Sequence, residues 1–172
     1  REAKAVRGHL QEAKGFTVAG LRAAMGRLGR TPAVVLASGV GREPSLQAVR
    51  ALVREVGPSA VISMGFAGAL VEGLNTGDLL VYRRVFVASE ESFQWLGSDP
   101  ALLDAARQAA LAAGLALKEA DGATTQAPVM SGEEKRRLHQ ATSAAGTDME
   151  SYWVALAARE SGIPFLALRS VI

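Results

Sequence analysis

Gly146-Thr-Asp-Met-Glu-Ser-Tyr-Trp-Val-Ala-Leu-Ala-Ala-Arg-Glu-Ser-Gly-Ile-Pro-Phe-Leu-Ala-Leu-Arg-Ser-Val-Ile172 is the stretch whose reading decides the fold. Small residues lead into a short acidic motif, Asp148-Met149-Glu150. A helix-length apolar run follows, and Gly162 stops it. Pro164 then opens the apolar stretch Phe165 to Leu168, the composition of a buried strand. Loop, acidic pair, helix, Gly-Ile-Pro and strand, in that order, put one or two carboxylates where a helix begins beside a sheet. Such places bind ligands. A plainer reading stands beside it, with Asp148 capping the helix and Glu150 in its favourable first turn.

Outward from this stretch, the first half of the chain carries two further apolar runs that end in glycines. Ala33-Val-Val-Leu-Ala37 runs into Ser38-Gly39-Val40-Gly41, and Ala60-Val-Ile-Ser-Met64 runs into Gly65-Phe-Ala-Gly68. Between them, Leu46, Val49, Leu52, Val53 and Val56 line one face of a helix that Gly57-Pro58 ends. Strand, glycine turn, helix, strand reads as a βαβ unit with a parallel pair and a right-handed crossover. Open α/β sheets bind ligands outside the carboxyl ends of their strands, so these glycines mark the site's side of the sheet.

The remaining segments fill out an α/β chain. Arg1 to Lys14 has a helical spacing of apolar residues, and Phe16 to Val18 reads as a short strand. Leu79 to Val87 is a strand that becomes polar at Arg83-Arg84. The loop from Ala88 to Ser98 carries Phe93 and Trp95. Asp99 and Pro100 read as N-cap and first position of a helix closed by Gly114, and Ser131-Gly-Glu-Glu134 as a capping box. Leu115 to Lys118 and Ala123 to Ala127 read as weak strands. The expected fold is a three-layer α/β/α sandwich with a mixed, mostly parallel central sheet. Its central strands are Ala33–Ala37, Ala60–Met64, Leu79–Val87 and Phe165–Val171. Helices over Ser45–Val56, Pro100–Ala113, Gly132–Ala144 and Glu150–Ser161 cover it.

Composition narrows the function. The 172 residues suit one domain able to bury roughly 70% of its unfolded surface, and 49% of them are apolar. A net charge of +2, with arginines scattered among acidic residues, argues against nucleic acid as partner. The absence of cysteine excludes disulfides, thiolate metal sites and a cysteine nucleophile. The two histidines, His9 and His139, lie far apart on polar helical stretches, so no metal and no cofactor is expected. No apolar run reaches the roughly 18–20 residues of a membrane span, which leads to the expectation of a soluble, cytoplasmic protein. The chain opens without Met and closes in mid-strand, so a single domain over residues 1–172, continued at both ends in the natural protein, is expected.

Ile62-Ser-Met-Gly-Phe-Ala-Gly-Ala-Leu70, Leu74-Asn-Thr-Gly-Asp-Leu-Leu-Val81, Asp148-Met-Glu-Ser151 and Gly162-Ile-Pro-Phe-Leu-Ala-Leu-Arg169 are each ordinary alone. In this order and spacing they resemble the nucleoside phosphorylase superfamily, which includes purine and uridine phosphorylases and methylthioadenosine/S-adenosylhomocysteine nucleosidases. The Asp-Met-Glu-Ser form is similar to that of hopanoid-associated phosphorylases. The resemblance implies cleavage of a ribosyl N-glycosidic bond through an oxocarbenium-like ribose, which needs negative charge and hydroxyl acceptors beneath the ring.

By the same resemblance Glu150 binds the ribose hydroxyls, Asp148 belongs to the same binding motif, and Met149 packs beneath the sugar. Phe66, Ala67 and Gly68 form the turn along the nucleoside, and Pro128 and Val129 lie where the base is covered, with proline where an aromatic is common. Ser63 and Phe66 stand where phosphorylases hold phosphate with arginine and serine. The backbone from Gly39 to Gly41 is the remaining phosphate ligand, so water is the expected attacking group and Glu2 the glutamate that orients it. The base-protonating aspartate of the family falls one residue beyond Ile172. The expected activity is therefore N-ribosyl hydrolysis of a 5′-substituted adenosine. Phosphorolysis with phosphate as partner, and a non-catalytic nucleoside-binding relative, are the alternatives. The resemblance also implies a homo-oligomer, with Phe93 or Trp95 at the subunit contact or the substrate tail. Anchoring of these aromatics in the chain's own core is the other reading.

Overall fold

A computed structural model describes residues 2–88 and 92–172. The elements run α1 (Glu2–Arg7), β1 (Gln11–Val18), β2 (Leu21–Leu28), β3 (Thr31–Leu36), α2 (Arg42–Val56), β4 (Val61–Ala69), β5 (Leu79–Ala88), β6 (Phe93–Gly97), α3 (Pro100–Ala112), β7 (Leu117–Thr124), α4 (Gly132–Thr142), β8 (Gly146–Asp148), α5 (Ser151–Glu160) and β9 (Phe165–Val171). Two sheets form. The larger has the order β6-β5-β7-β8-β4-β9, and β5 also pairs with β9, so the sheet curls until five of its strands close a ring. Its parallel pairings, β4–β9, β5–β7 and β7–β8, make up the greater part of the ladder, as the expected mixed sheet requires.

Helices cover this sheet on both faces. Leu46 and Val49 of α2 and Tyr152, Val154, Ala155, Ala157 and Ala158 of α5 share one core with Val61 and Leu80. Leu103 of α3 packs on Val81 and Leu166 of the opposite face, and α4 lies over Ala123 and Leu70 through Leu138. The ends of these helices follow local chemistry. Asp99 Oδ1 accepts from the N–H of Ala101 (2.9 Å) and of Leu102 (3.0 Å), and Ser131 and Glu134 form the reciprocal capping box. Gly57 ends α2 at φ 64°, a left-handed conformation that costs glycine little.

Several expectations need correction. The helix over Arg1–Lys14 stops at Arg7, and Gln11–Val18 is instead the first strand of an antiparallel hairpin turned at Ala19-Gly20, both at positive φ. β1 is exposed along most of its length, so it lacks the apolar alternation that betrays a strand. Ala33–Ala37 is not a central strand. β3 belongs to the smaller sheet, order β1-β2-β3, where β2 pairs with it from Ala23↔Leu36 to Leu28↔Thr31. The βαβ reading of β3, α2 and β4 therefore fails, because a hairpin partner adjacent in sequence holds β3. The segment Gly65–Gly68 is no turn but part of β4, paired with Arg169, Ser170 and Val171 on one side and Thr147 on the other. Leu115–Lys118 and Ala123–Ala127 merge into one strand, β7, and the expected aromatic loop holds strand β6. Of the expected central strands, Ala60–Met64 lies inside the sheet between β8 and β9, as β4.

One close approach pins the ring together. Tyr82 is fully buried, and a Cβ added to Gly122 would lie only 2.2 Å from its ring carbon Cε2; one added to Gly146 would lie 2.5 Å from its hydroxyl oxygen. Neither the ring nor the two backbones has room to give way. Gly122→Ala should cost about 1–3 kcal/mol or more through overpacking, whereas the same change at the open Gly15 should cost much less. Urea titration of both variants measures the difference, and equal midpoints would disprove this packing account.

Candidate active site

The site is assembled at the short step from β8 into α5. β8 lies between β7 and β4, with Thr124↔Asp148 on one side and Gly68↔Thr147 on the other. Asp148-Met149-Glu150 is thereby set beside the glycine-bearing end of β4. Ala67 is buried there, while Phe66 points to the face it shares with Ile62 and Met64 and is 43% exposed. The segment after β7 is tied to the same point: Thr125 N–H donates to the Asp148 carbonyl (2.8 Å), and its hydroxyl donates to the Ala127 carbonyl (2.8 Å). Pro128 and Met130 are exposed and Val129 is half-buried.

Glu150 is joined to the other glycine segment. Gly41 N–H donates to Glu150 Oε1 at 2.9 Å, bridging residues 109 apart in the chain. Gly39 and Gly41 both have φ 85°, so glycine is what lets this turn present its N–H before α2 starts. Burial pushes the Glu150 carboxyl above its usual range. The Gly41 N–H opposes that shift, the Asp148 charge adds to it and Arg169 opposes it. Beside it the Arg42 guanidinium lies 4.8 Å over the Trp153 ring, joining the starts of α2 and α5.

Asp148, expected to bind substrate, has a different place. It is buried, and protein donors surround both its oxygens. Oδ1 accepts from Glu150 N–H (3.0 Å), Ser151 N–H (2.9 Å) and the Thr124 hydroxyl (3.0 Å). Oδ2 accepts from Arg169 Nε (2.9 Å) and from the Ser151 hydroxyl. The capping role is thus Asp148's, and its second oxygen serves a buried ion pair. Glu2 opens α1, which packs against β3 and β4, but its side chain lies outside the described residues. The structure brings Gly41 to Glu150 and places Gly68 beside Thr147; Met149 lies half-buried between Asp148 and Glu150.

Arg169 is the residue that sequence reasoning left without a role. Its five N–H groups all find acceptors: Asp148 Oδ2, the carbonyls of Ser63 (2.9 Å) and Leu168 (2.8 Å), and the hydroxyls of Ser63 (2.8 Å) and Ser151 (2.6 Å). A signal existed, since arginine in an otherwise apolar buried strand demands a buried anion. Which anion it was could not be read. A shallow cavity of about 240 Å³ beside α4, bounded by Leu70, Glu72, Arg136 and His139 among others, is lined by none of these site residues. Among the described residues, no cluster of three His, Asp or Glu side chains is placed to hold a metal ion, and no helix is long and apolar enough to cross a membrane.

A closed mixed sheet with a carboxylate held at a glycine turn defines the structural class of this α/β protein, and similarity to known sequences gives the family. The profile of the Phosphorylase superfamily matches residues 1–172, and the chain belongs to that superfamily. It is 25% identical over 177 residues to the 5′-methylthioadenosine/S-adenosylhomocysteine nucleosidase of Shewanella sp. (strain MR-7), covering 94% of this chain and 75% of the relative. It is 31% identical over 84 residues to the enzyme of the same name from Bacillus thuringiensis subsp. konkukian (strain 97-27), covering 49% of this chain and 36% of the relative. The fold is that of the S-adenosylhomocysteine nucleosidase from Streptococcus pyogenes in complex with 5-methylthiotubericidin (TM-score 0.90, 23% identity, 99% of this chain and 78% of that one). It is equally that of a futalosine hydrolase mutant of Helicobacter pylori strain 26695 (TM-score 0.86, 24% identity, 98% and 82%).

Proposed function

We propose that the protein is an N-ribosyl hydrolase that cleaves the base from a 5′-substituted adenosine. The observation that carries this reading is the Glu150 carboxylate, half-buried at the β8–α5 step and held by Gly41 N–H. Ionised Glu150 supplies the charge and the acceptors that a ribose acquiring oxocarbenium character needs, and its partial desolvation strengthens that interaction. Met149 lies at the floor beneath the sugar, and Ala67 and Gly68 line the nucleoside. Pro128 and Val129 cover the base, and Glu2 orients the attacking water. The nucleosidases of Shewanella and Bacillus named above support the substrate class.

Water rather than phosphate as nucleophile is supported by positions 63 and 66. The Ser63 hydroxyl and carbonyl are both taken by Arg169, and Phe66 offers no polar group. A phosphate dianion there would find no free donor, because every N–H of the nearby Arg169 already has an acceptor within the protein. The deciding experiment incubates the protein with a nucleoside panel, with and without phosphate, and follows released base by chromatography. Phosphate-independent release of adenine is expected; release only with phosphate would replace hydrolysis by phosphorolysis, and binding without release would leave a nucleoside-binding relative.

The active form is a homo-oligomer in this reading. Trp95 on edge strand β6 is 55% exposed, and the Arg84 guanidinium lies 5.2 Å over Phe86 and 5.7 Å over Trp95. An edge strand with an arginine held against aromatics has the composition of a contact surface. Light scattering should give at least twice the chain mass, and in a Trp153→Phe background Trp95 emission should shift on dilution. A monomer with constant emission would rule this surface out.

A further inference from the structure

We infer that Ser63 and Thr124 are positioning residues for Glu150, acting through the buried Asp148–Arg169 pair. The inference rests on the reading of Glu150 as the ribose-binding carboxylate. The Glu150 side chain is held by Gly41 N–H, and its backbone sits on a two-residue step between a short strand and a helix. What holds the step is Asp148 Oδ1, which accepts from the N–H groups of Glu150 and Ser151. The orientation of the Asp148 carboxylate therefore sets where the Glu150 Cα lies and which way its side chain leaves the backbone.

Two hydroxyls outside the acidic motif fix that orientation from opposite sides. Thr124, at the end of β7, donates to Asp148 Oδ1 and accepts from Tyr152 N–H (3.0 Å). One hydroxyl thus serves as a remote cap for an early N–H of α5 that lacks an intrahelical partner, and as a clamp on Asp148. Ser63, on β4, receives two of the Arg169 N–H groups, one on its carbonyl and one on its hydroxyl. With Ser151 taking another, the guanidinium cannot rotate, and its Nε is left facing Asp148 Oδ2. Ser63, Thr124, Asp148, Ser151 and Arg169 are all buried and come from β4, β7, β8, α5 and β9. The network converts the rigidity of the sheet into a fixed position for one half-exposed carboxylate, and displacement of a reacting group by about 1 Å costs on the order of 100-fold in rate.

The test compares Thr124→Val, Thr124→Ser and Ser63→Ala in the full chain, with two independent readouts. Hydrogen exchange needs no substrate. In Thr124→Val, protection of the Glu150 and Ser151 amides should fall about tenfold, while Ala155 to Ala158 keep theirs and Thr124→Ser restores the loss. In the turnover assay Thr124→Val should lower kcat by about 10- to 100-fold with little change in KM, Ser63→Ala should do so more weakly, and neither should cost anything further in a Glu150→Ala background. Unchanged exchange at Glu150 and Ser151, or uniform loss along the whole of α5, overturns the inference. So do additive losses with Glu150→Ala. If the unmutated chain releases no base from any nucleoside, the hydrolase reading alone falls, and the exchange experiment still decides the positioning.

Discussion

Arg169→Met is expected to destabilise the fold by about 3–5 kcal/mol, the largest single loss predicted for this chain. The substitution keeps much of the apolar stem but removes the counter-ion from an Asp148 side chain that is 1% exposed. It also leaves the Ser63 carbonyl and the Ser63 and Ser151 hydroxyls, all on buried residues, short of a donor. Exposed pairs make the contrast. Arg50 and Glu160 meet at 2.9 Å with both side chains about half exposed, and breaking that pair should cost under about 1 kcal/mol. Arg169→Lys restores charge but only three donors, so it should recover part of the loss. Denaturant unfolding of Arg169→Met and Arg50→Met measures both values, and similar midpoints would show that the buried network does not hold the β8–β9 region together.

Glu150→Ala should act on the other axis, leaving stability nearly unchanged while lowering turnover by about 10- to 150-fold. The figure follows from losing charge-assisted hydrogen bonds to the sugar worth roughly 1.5–3 kcal/mol in the transition state. Saturating nucleoside makes kcat the quantity to compare, and unchanged kcat would remove Glu150 from the catalytic role. The pH dependence carries a definite sign. Burial raises the Glu150 carboxyl above its unfolded value, so the folded state holds its proton more tightly. Stability from this group is therefore full below the unfolded value and declines as pH rises through the folded one. Activity runs the opposite way, rising through the same raised value as the carboxylate forms. The acid limb of kcat/KM should therefore lie above the ordinary glutamate range, and Glu150→Gln should abolish the stability slope in that window.

Much of this architecture is legible without coordinates because it depends on neighbours in sequence. Asp99-Pro100, Ser131-Gly-Glu-Glu134 and Gly57 start and stop their helices through bonds spanning only a few residues, and the observed α2 to α5 begin and end within about three residues of the expected positions. The continuous apolar runs of β5 and β9 announce burial on both faces, while that of β4 is buried on one face only, with Ile62 and Met64 exposed. The Asp-Met-Glu motif with its glycine-bearing segments marks the superfamily and the carboxylate that faces Gly41. Strand partnership is another matter. β3 and β4 carry similar apolar runs, yet one joins a hairpin and the other enters the ring, because pairing is settled by which edge is free in space. The exposed strands β1 and β6 lack a clear apolar period for the same reason, since water rather than a core faces most of their side chains.

The two carboxylates of the acidic motif show the boundary most sharply. Composition and spacing place Asp148 and Glu150 together at a helix start and go no further. Tertiary structure assigns Asp148 to an internal network by bringing Arg169 from 21 residues away and Thr124 from 24, while Ser63, 106 residues from Arg169, locks the guanidinium. Glu150, two residues on, is left facing the Gly41 turn. A buried charge is tolerated only where donors converge on it, and that convergence belongs to the packed sheet rather than to any local stretch of chain.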